Sequence, residues 1–96
     1  MAELDKALAD LTQTVNDARR IVVEFLITDL DVALTFLKIA SASNKSETVE
    51  RNLNNARTAY ETVRRYLPRA HFTKTQWQIV QNKLAMLKER LDFFGD

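Results

Sequence analysis

The sequence has no cysteine and only one glycine, one proline and one histidine among its 96 residues. The absence of cysteine excludes disulfides, thiolate metal sites and cysteine nucleophiles. Because sheet-rich folds of this size depend on glycine and proline in their turns, this composition favours an all-helical protein. The chain also lacks a glycine-rich loop, and this excludes a phosphate-binding cradle of the usual type.

Excess charge and long apolar segments are missing as well. The formal net charge is +1, which gives no overall attraction to nucleic acid or to anionic membranes. The most apolar stretch, residues 21–40, contains Glu24, Asp29, Asp31 and Lys38, too many charges for a membrane span. The N-terminus is acidic and amphipathic, unlike a secretion signal, so we expect a cytoplasmic protein.

Residues that could carry catalysis are scarce. His71, the only histidine, lies beside Phe72 and is expected to be a surface or capping residue. The serines at 41, 43 and 46 have no histidine–acid pair marked out for them. Helical di-metal sites need two Glu-x-x-His motifs, which this chain does not contain. We therefore predict no enzyme activity, no catalytic residue, no metal site and no cofactor.

The most regular pattern lies in residues 46–67, which we predict to be a helix that ends before Pro68. Its apolar residues recur at alternating spacings of four and three, typical of a helix packed lengthwise against other helices. They are Val49, Leu53, Ala56, Tyr60, Val63 and Leu67. Three asparagines on this helix, Asn52, Asn54 and Asn55, are expected to be solvated, with a polar binding surface as the alternative.

A second helix is predicted for residues 73–94. Thr73 and Gln76 fit a capping box at its start, and Phe72 and Trp77 are placed for a hydrophobic staple. Gly95 fits the stop signal. The connector between the two helices has only five residues, so they should form an antiparallel hairpin. The apolar stripe of this helix contains Trp77, Val80, Leu84, Leu87, Leu91 and Phe94.

The N-terminal part of the chain carries two apolar stripes that are one residue out of phase. Two interpretations stay open: helices at 3–27 and 29–42 with Thr28 as a cap, or one long or kinked helix over 3–42. The continuous helix would be about 60 Å long, against about 33 Å for each of the other two. About half of it would then have no neighbour in its own chain, which predicts a second copy. The first stripe contains Leu4, Leu8, Leu11, Val15, Ala18, Val22 and Phe25, and the second contains Leu26, Leu30, Ala33, Leu37 and Ala40.

Residues 41–46 are predicted to be a loop, with Asn44 or Ser46 as the N-cap of the following helix. A basic run begins in the last turn of that helix, and no acidic residue interrupts residues 64–74. One interpretation is a patch for phosphate or nucleic acid. The other is that cations favour a helix C-terminus and that Glu61 pairs with its neighbours. The candidate anion-binding residues are Arg64, Arg65, Arg69 and Lys74.

Ala56, Tyr60, Val63 and Pro68 together resemble the second helix of a tetratricopeptide unit, over about 13 residues. This resemblance implies a helical hairpin of that packing style. More broadly, residues 29–40 and 50–68 look like segments of small all-helical bacterial proteins to which no function is assigned. The microtubule-interacting and trafficking domain, a three-helix bundle, is a looser analogue. None of these resemblances assigns a functional residue.

We therefore predict one all-α domain over residues 1–96, an antiparallel bundle of three to four helices with a long or kinked first helix. Its expected function is a non-enzymatic protein–protein interaction module that self-associates through the stripe of the N-terminal helix. The expected partner is a second copy or another helical protein; nucleic acid is not favoured, and no membrane partner is expected. The predicted interface residues are Leu8, Leu11, Val15, Val22 and Phe25.

Overall fold

The computed structural model of the chain describes residues 2–95. Within this range the protein is all-helical and contains no strand, which confirms the predicted class. The three α-helices are α1 (Ala2–Ala42), α2 (Ser46–Tyr66) and α3 (Lys74–Phe93), and a 3-10 turn (Leu67–Arg69) follows α2.

Helix α1 is continuous through Thr28, so the predicted alternative of two helices at 3–27 and 29–42 is wrong. No glycine or proline interrupts the segment, and a helix needs no break to change its buried face. Leu26 and Leu30, on either side of the proposed cap, are both buried in the core. The change of stripe therefore marks the point where α1 begins to pack against the rest of the chain.

One hydrophobic core receives side chains from all three helices. Helix α1 contributes only from Val23 onward. The buried apolar residues are Val23, Leu26, Leu30, Ala33, Leu37 and Ala40 from α1, Leu53, Ala56, Ala59 and Val63 from α2, and Val80, Leu84, Leu87 and Leu91 from α3.

Helix α2 packs mainly against α1 rather than against α3, its expected hairpin partner. The helix is rotated accordingly: Ala59 and Asn52 are buried, whereas Tyr60 is only half-buried. Small side chains allow helix axes to approach closely, and alanines lie in the core on both α1 and α2. Asn52 is 6% exposed and donates from Nδ2 to the carbonyl oxygen of Thr48 at 2.8 Å, so its predicted solvation is wrong.

The capping box of α3 is confirmed. The hydroxyl of Thr73 accepts from the Gln76 backbone N–H at 3.1 Å, and the Gln76 side-chain oxygen accepts from the Thr73 N–H at 2.9 Å. The rings of Phe72 and Trp77 lie 5.5 Å apart, as a staple requires. Gly95 follows the helix with φ of 91°, a conformation that favours glycine.

The predicted caps of α2 are wrong. Lys45 is the N-cap residue and makes no side-chain capping bond. The loop is held instead by the Ser43 hydroxyl, which accepts from the Lys45 N–H at 3.1 Å. At the other end, α2 stops at Tyr66 and Pro68 lies in the 3-10 turn, where its missing N–H and fixed φ are tolerated.

The described chain is elongated, with principal extents of 67 × 23 × 18 Å. We call residues 2–22 of α1 the arm. Every residue of the arm is exposed except Asp17, which is half-buried. The remainder of α1, together with α2 and α3, holds the whole core, and we call this part the body.

Candidate interaction surface

The five predicted interface residues are all exposed on α1, with fractional exposures between 40% for Val15 and 61% for Leu11. Leu4 and Ala18 occupy the same stripe and are exposed too. Each neighbour on this stripe is three or four residues from the next, so all of them lie along one side of the arm. The arm therefore presents a continuous apolar surface that residues 2–95 leave exposed.

The same rhythm continues past Phe25, beyond the stripe predicted from the sequence. The next positions are Asp29, Val32, Phe36 and Ile39, so one aspartate alone interrupts the pattern before the end of α1. Val32 and Ile39 are exposed, and Phe36 is half-buried. We call the full set from Leu4 to Ile39 the outer stripe. The alternating spacings of four and three reveal this extension in the sequence. It is hard to recognise because the core stripe occupies the adjacent positions in residues 26–40.

In the body, each outer-stripe residue precedes a core residue by one position, as Phe25 precedes Leu26. One residue turns a helix by about 100°. Asp31, one residue beyond the core residue Leu30, forms an ion pair with Lys83 of α3. The Lys83 ammonium donates a hydrogen bond to the Asp31 carboxylate. The outer stripe lies about 100° around α1 from the core stripe, and none of its residues takes part in this ion pair.

The turn between α2 and α3 lies beside the arm. A cavity of about 320 Å³ is lined there by Val15, Ala18, Arg19 and Val22 of α1 and by Arg69, Ala70 and His71 of the turn. The structure thus brings together two of the predicted interface residues and one of the predicted basic residues. All of the lining residues are exposed except Ala70, which is half-buried. As predicted, His71 is a surface residue.

The remaining basic candidates do not join Arg69. The Arg64 guanidinium lies 5.7 Å from the Tyr60 ring centroid and lines a groove between α2 and α3. Lys88, in the same groove, donates to Asp92 at 2.9 Å, and this hydrogen bond and the charge of Asp92 raise the pKa of Lys88. Arg65 and Lys74 are exposed. Anion or nucleic-acid binding by these residues stays a prediction from the sequence.

Helix α3 carries a smaller set of exposed apolar residues at Ile79, Met86 and Phe93. They are seven residues apart, but Lys83 and Arg90 alternate with them on the same side of the helix. The Phe93 ring packs edge-on against Phe94, with centroids 5.7 Å apart. This face is broken by charge, unlike the outer stripe of the arm.

Residues 2–95 hold no cluster of three or more histidine, cysteine, aspartate or glutamate side chains placed for a metal ion. None of the helices in this range combines the length and apolar character that crossing a membrane requires. No family model matches the chain, and neither a curated protein nor a solved structure is detectably similar to it.

Proposed function

We propose that the protein is a non-enzymatic helical interaction module, and that it self-associates through the outer stripe of the arm. The observation that carries this proposal is the exposure of Leu8, Leu11, Val15 and Val22 on the arm, in which no side chain is buried, and of Phe25 just beyond it. Contiguous apolar surface of this kind is characteristic of a binding site for another protein.

Helix physics supports the same proposal. Nucleating a helix is costly, and most helical stability in proteins comes from packing an amphipathic face rather than from intrinsic propensity. The arm has such a face, and every residue on it is exposed although residues 69–71 of the turn lie beside part of it. Burying one leucine or valine side chain is worth about 1.5–3 kcal/mol. Covering several of them by a partner would supply the stability that the arm does not obtain from the body.

For the body, the proposed arrangement is an antiparallel three-helix bundle. The short connectors at residues 43–45 and 70–73, the shared core and the Asp31–Lys83 ion pair support it. Packing of α2 in the style of a tetratricopeptide helix also stays a proposal, supported by the burial of Ala56 and Val63. A cytoplasmic location belongs with these proposals.

The test introduces two carboxylates into the stripe. The double variant Val15→Glu, Val22→Glu should be monomeric at concentrations where the unchanged protein is a dimer, as measured by light scattering coupled to size exclusion. A buried unpaired carboxylate at each position would disfavour association strongly. Because glutamate is at least as good a helix former as valine, the loss would not come from helix propensity.

The matched control is Ala9→Glu, Asn16→Glu. These positions are also seven residues apart, also exposed and also gain two carboxylates, but each lies one residue beyond an outer-stripe position. The control should remain a dimer. A monomeric unchanged protein at tens of micromolar would refute the proposal, and equal dissociation of both variants would place the interface elsewhere.

A further inference from the structure

We infer that the occupant of the outer stripe is the arm of a second copy, bound antiparallel in a register centred on Gln13. This inference rests on the proposed self-association and adds its orientation and register. It would give a dimer joined at the arms, with the two bodies at opposite ends.

The distribution of charge along the arm favours the antiparallel orientation. Residues 2–12 carry three acidic side chains and Lys6, which gives a net charge of −2. Residues 13–22, toward the body, carry Arg19, Arg20 and Asp17, which gives a net charge of +1. Two identical arms in antiparallel orientation place acidic ends against basic ends. In parallel orientation the acidic ends would lie side by side, and so would the basic ends, which costs free energy between close like charges.

The spacing of the stripe permits antiparallel registers that differ by one heptad, and the side chains that meet in each register decide between them. With Gln13 at the centre, Leu8 lies opposite Ala18 of the second copy, so a large side chain meets a small one. The layers on either side pair Leu11 with Val15 and Leu4 with Val22. Because the dimer has two-fold symmetry, each of these three pairs occurs twice. Six outer-stripe positions of each copy are therefore covered.

The residues that flank the stripe agree with this register. On the side nearer the body, Asp5 of each copy meets Arg19 of the other, which gives two oppositely charged pairs. On the other side, Ala7 meets Ile21, and Ile21 is otherwise 59% exposed without a partner in the described chain. The register therefore accounts for one apolar residue that lies outside the stripe.

Two threonines lie near the centre, where Thr12 meets Thr12 and Thr14 meets Thr14 of the second copy. Their hydroxyls donate within the helix, from Thr12 to the Leu8 carbonyl at 2.9 Å and from Thr14 to the Asp10 carbonyl at 3.0 Å. Because these donors are already satisfied, the threonines can turn their methyl groups toward the neighbouring helix without leaving a buried hydroxyl proton unbonded.

The cavity beside the turn is filled by the same arrangement. Its arm residues, from Val15 to Val22, lie opposite residues 4–11 of the second copy in this register. Asp5 of the second copy then lies on the side of Arg19, toward Arg69 and His71. The basic turn thus gains an acidic neighbour, and the chain itself supplies the charge complementarity between the two ends of the interface.

The absence of cysteine from the chain permits a clean cross-linking test. Two full-length variants, Leu8→Cys and Ala18→Cys, are oxidised separately and as an equimolar mixture, and the products are separated by mass. A disulfide requires Cα atoms closer than about 7 Å. We expect the mixed covalent dimer from the mixture and little homodimer from either variant alone, because residue 18 lies about 15 Å along the axis from its own copy.

A parallel dimer would give the reverse, with each variant forming its own covalent homodimer, and that result would overturn the inference while leaving self-association intact. Absence of every cross-link, with light scattering still showing a dimer under reducing conditions, would also overturn it. A monomeric unchanged protein would refute the proposed function as well.

Charge reversal provides a second test that does not depend on cross-linking. The variants Asp5→Arg and Arg19→Asp should each weaken self-association about tenfold, since two exposed pairs become repulsive. The double variant Asp5→Arg, Arg19→Asp should recover most of the affinity. The two positions lie about 21 Å apart within one chain, too far to couple directly, so recovery would report contact between copies. Additive weakening in the double variant would overturn the proposed pairing.

Discussion

At the scale of single residues, the start of α3 is fixed by contacts between residues that are close in sequence. Thr73 and Gln76 exchange two hydrogen bonds, and Phe72 and Trp77 close the turn by ring contact. These interactions join residues within five positions of one another. They could be predicted from the sequence because local geometry alone decides whether they form.

The variant Thr73→Ala should lower the free energy of unfolding by about 1 kcal/mol, because the Gln76 N–H loses its acceptor. Urea denaturation of both proteins measures the difference. The control is Thr75→Ala, two residues inside the same helix, where alanine should be neutral or slightly stabilising. An equal loss in both variants would mean that the capping bond contributes nothing specific.

Asn52 shows where residue-level reasoning from the sequence failed. The sequence predicts that an asparagine next to Leu53 on a polar helix face is solvated, yet the side chain of Asn52 is buried. It is buried because α2 turns toward α1, and its amide is satisfied by the Thr48 carbonyl one turn earlier. No local pattern could have revealed this, since the rotation of α2 depends on a helix distant in sequence.

At the scale of elements, α1 carries two apolar stripes, one in the core and one that we propose for self-association. From Val23 onward its core stripe packs against α2 and α3, and along the arm the outer stripe is the continuous apolar pattern. Leucines occupy both stripes of this helix. The same substitution, leucine to alanine, can therefore test each stripe separately.

The variant Leu30→Ala should destabilise the body by about 2–5 kcal/mol, since it leaves a cavity in a fully buried site. The matched variant Leu8→Ala, in the arm, should leave the unfolding of the body nearly unchanged but weaken self-association. Urea unfolding at two protein concentrations and light scattering distinguish these effects. A loss of several kcal/mol of monomer stability in Leu8→Ala would show that the arm packs within its own chain.

At the scale of the whole molecule, the decisive feature is the difference in length between α1 and the other two helices. Helix α1 has 41 residues, against 21 for α2 and 20 for α3. A shorter pair cannot cover the longer helix, so the described chain has a radius of gyration (Cα) of 18.0 Å and a principal extent of 67 Å.

Small-angle X-ray scattering should report a dimer markedly longer than one chain. In the antiparallel register, the two α1 helices together span about 90 Å at about 1.5 Å per residue. A parallel dimer would be thicker but close to the 67 Å extent of one chain. The Val15→Glu, Val22→Glu variant, measured at the same concentration, provides the monomer profile. A dimer no longer than the single chain would contradict the antiparallel arrangement.

The sequence by itself determined the helical class, the approximate helix bounds, the cap and stop of α3 and the existence of two phase-shifted stripes in α1. Each of these follows from residues a few positions apart, through helical periodicity or local hydrogen bonds. Only the tertiary structure decided that α1 runs unbroken through Thr28, that α2 takes α1 as its main neighbour, and that Arg69 lies beside Val15 and Val22. Those outcomes depend on which distant surfaces bury together, and a local pattern does not encode that choice.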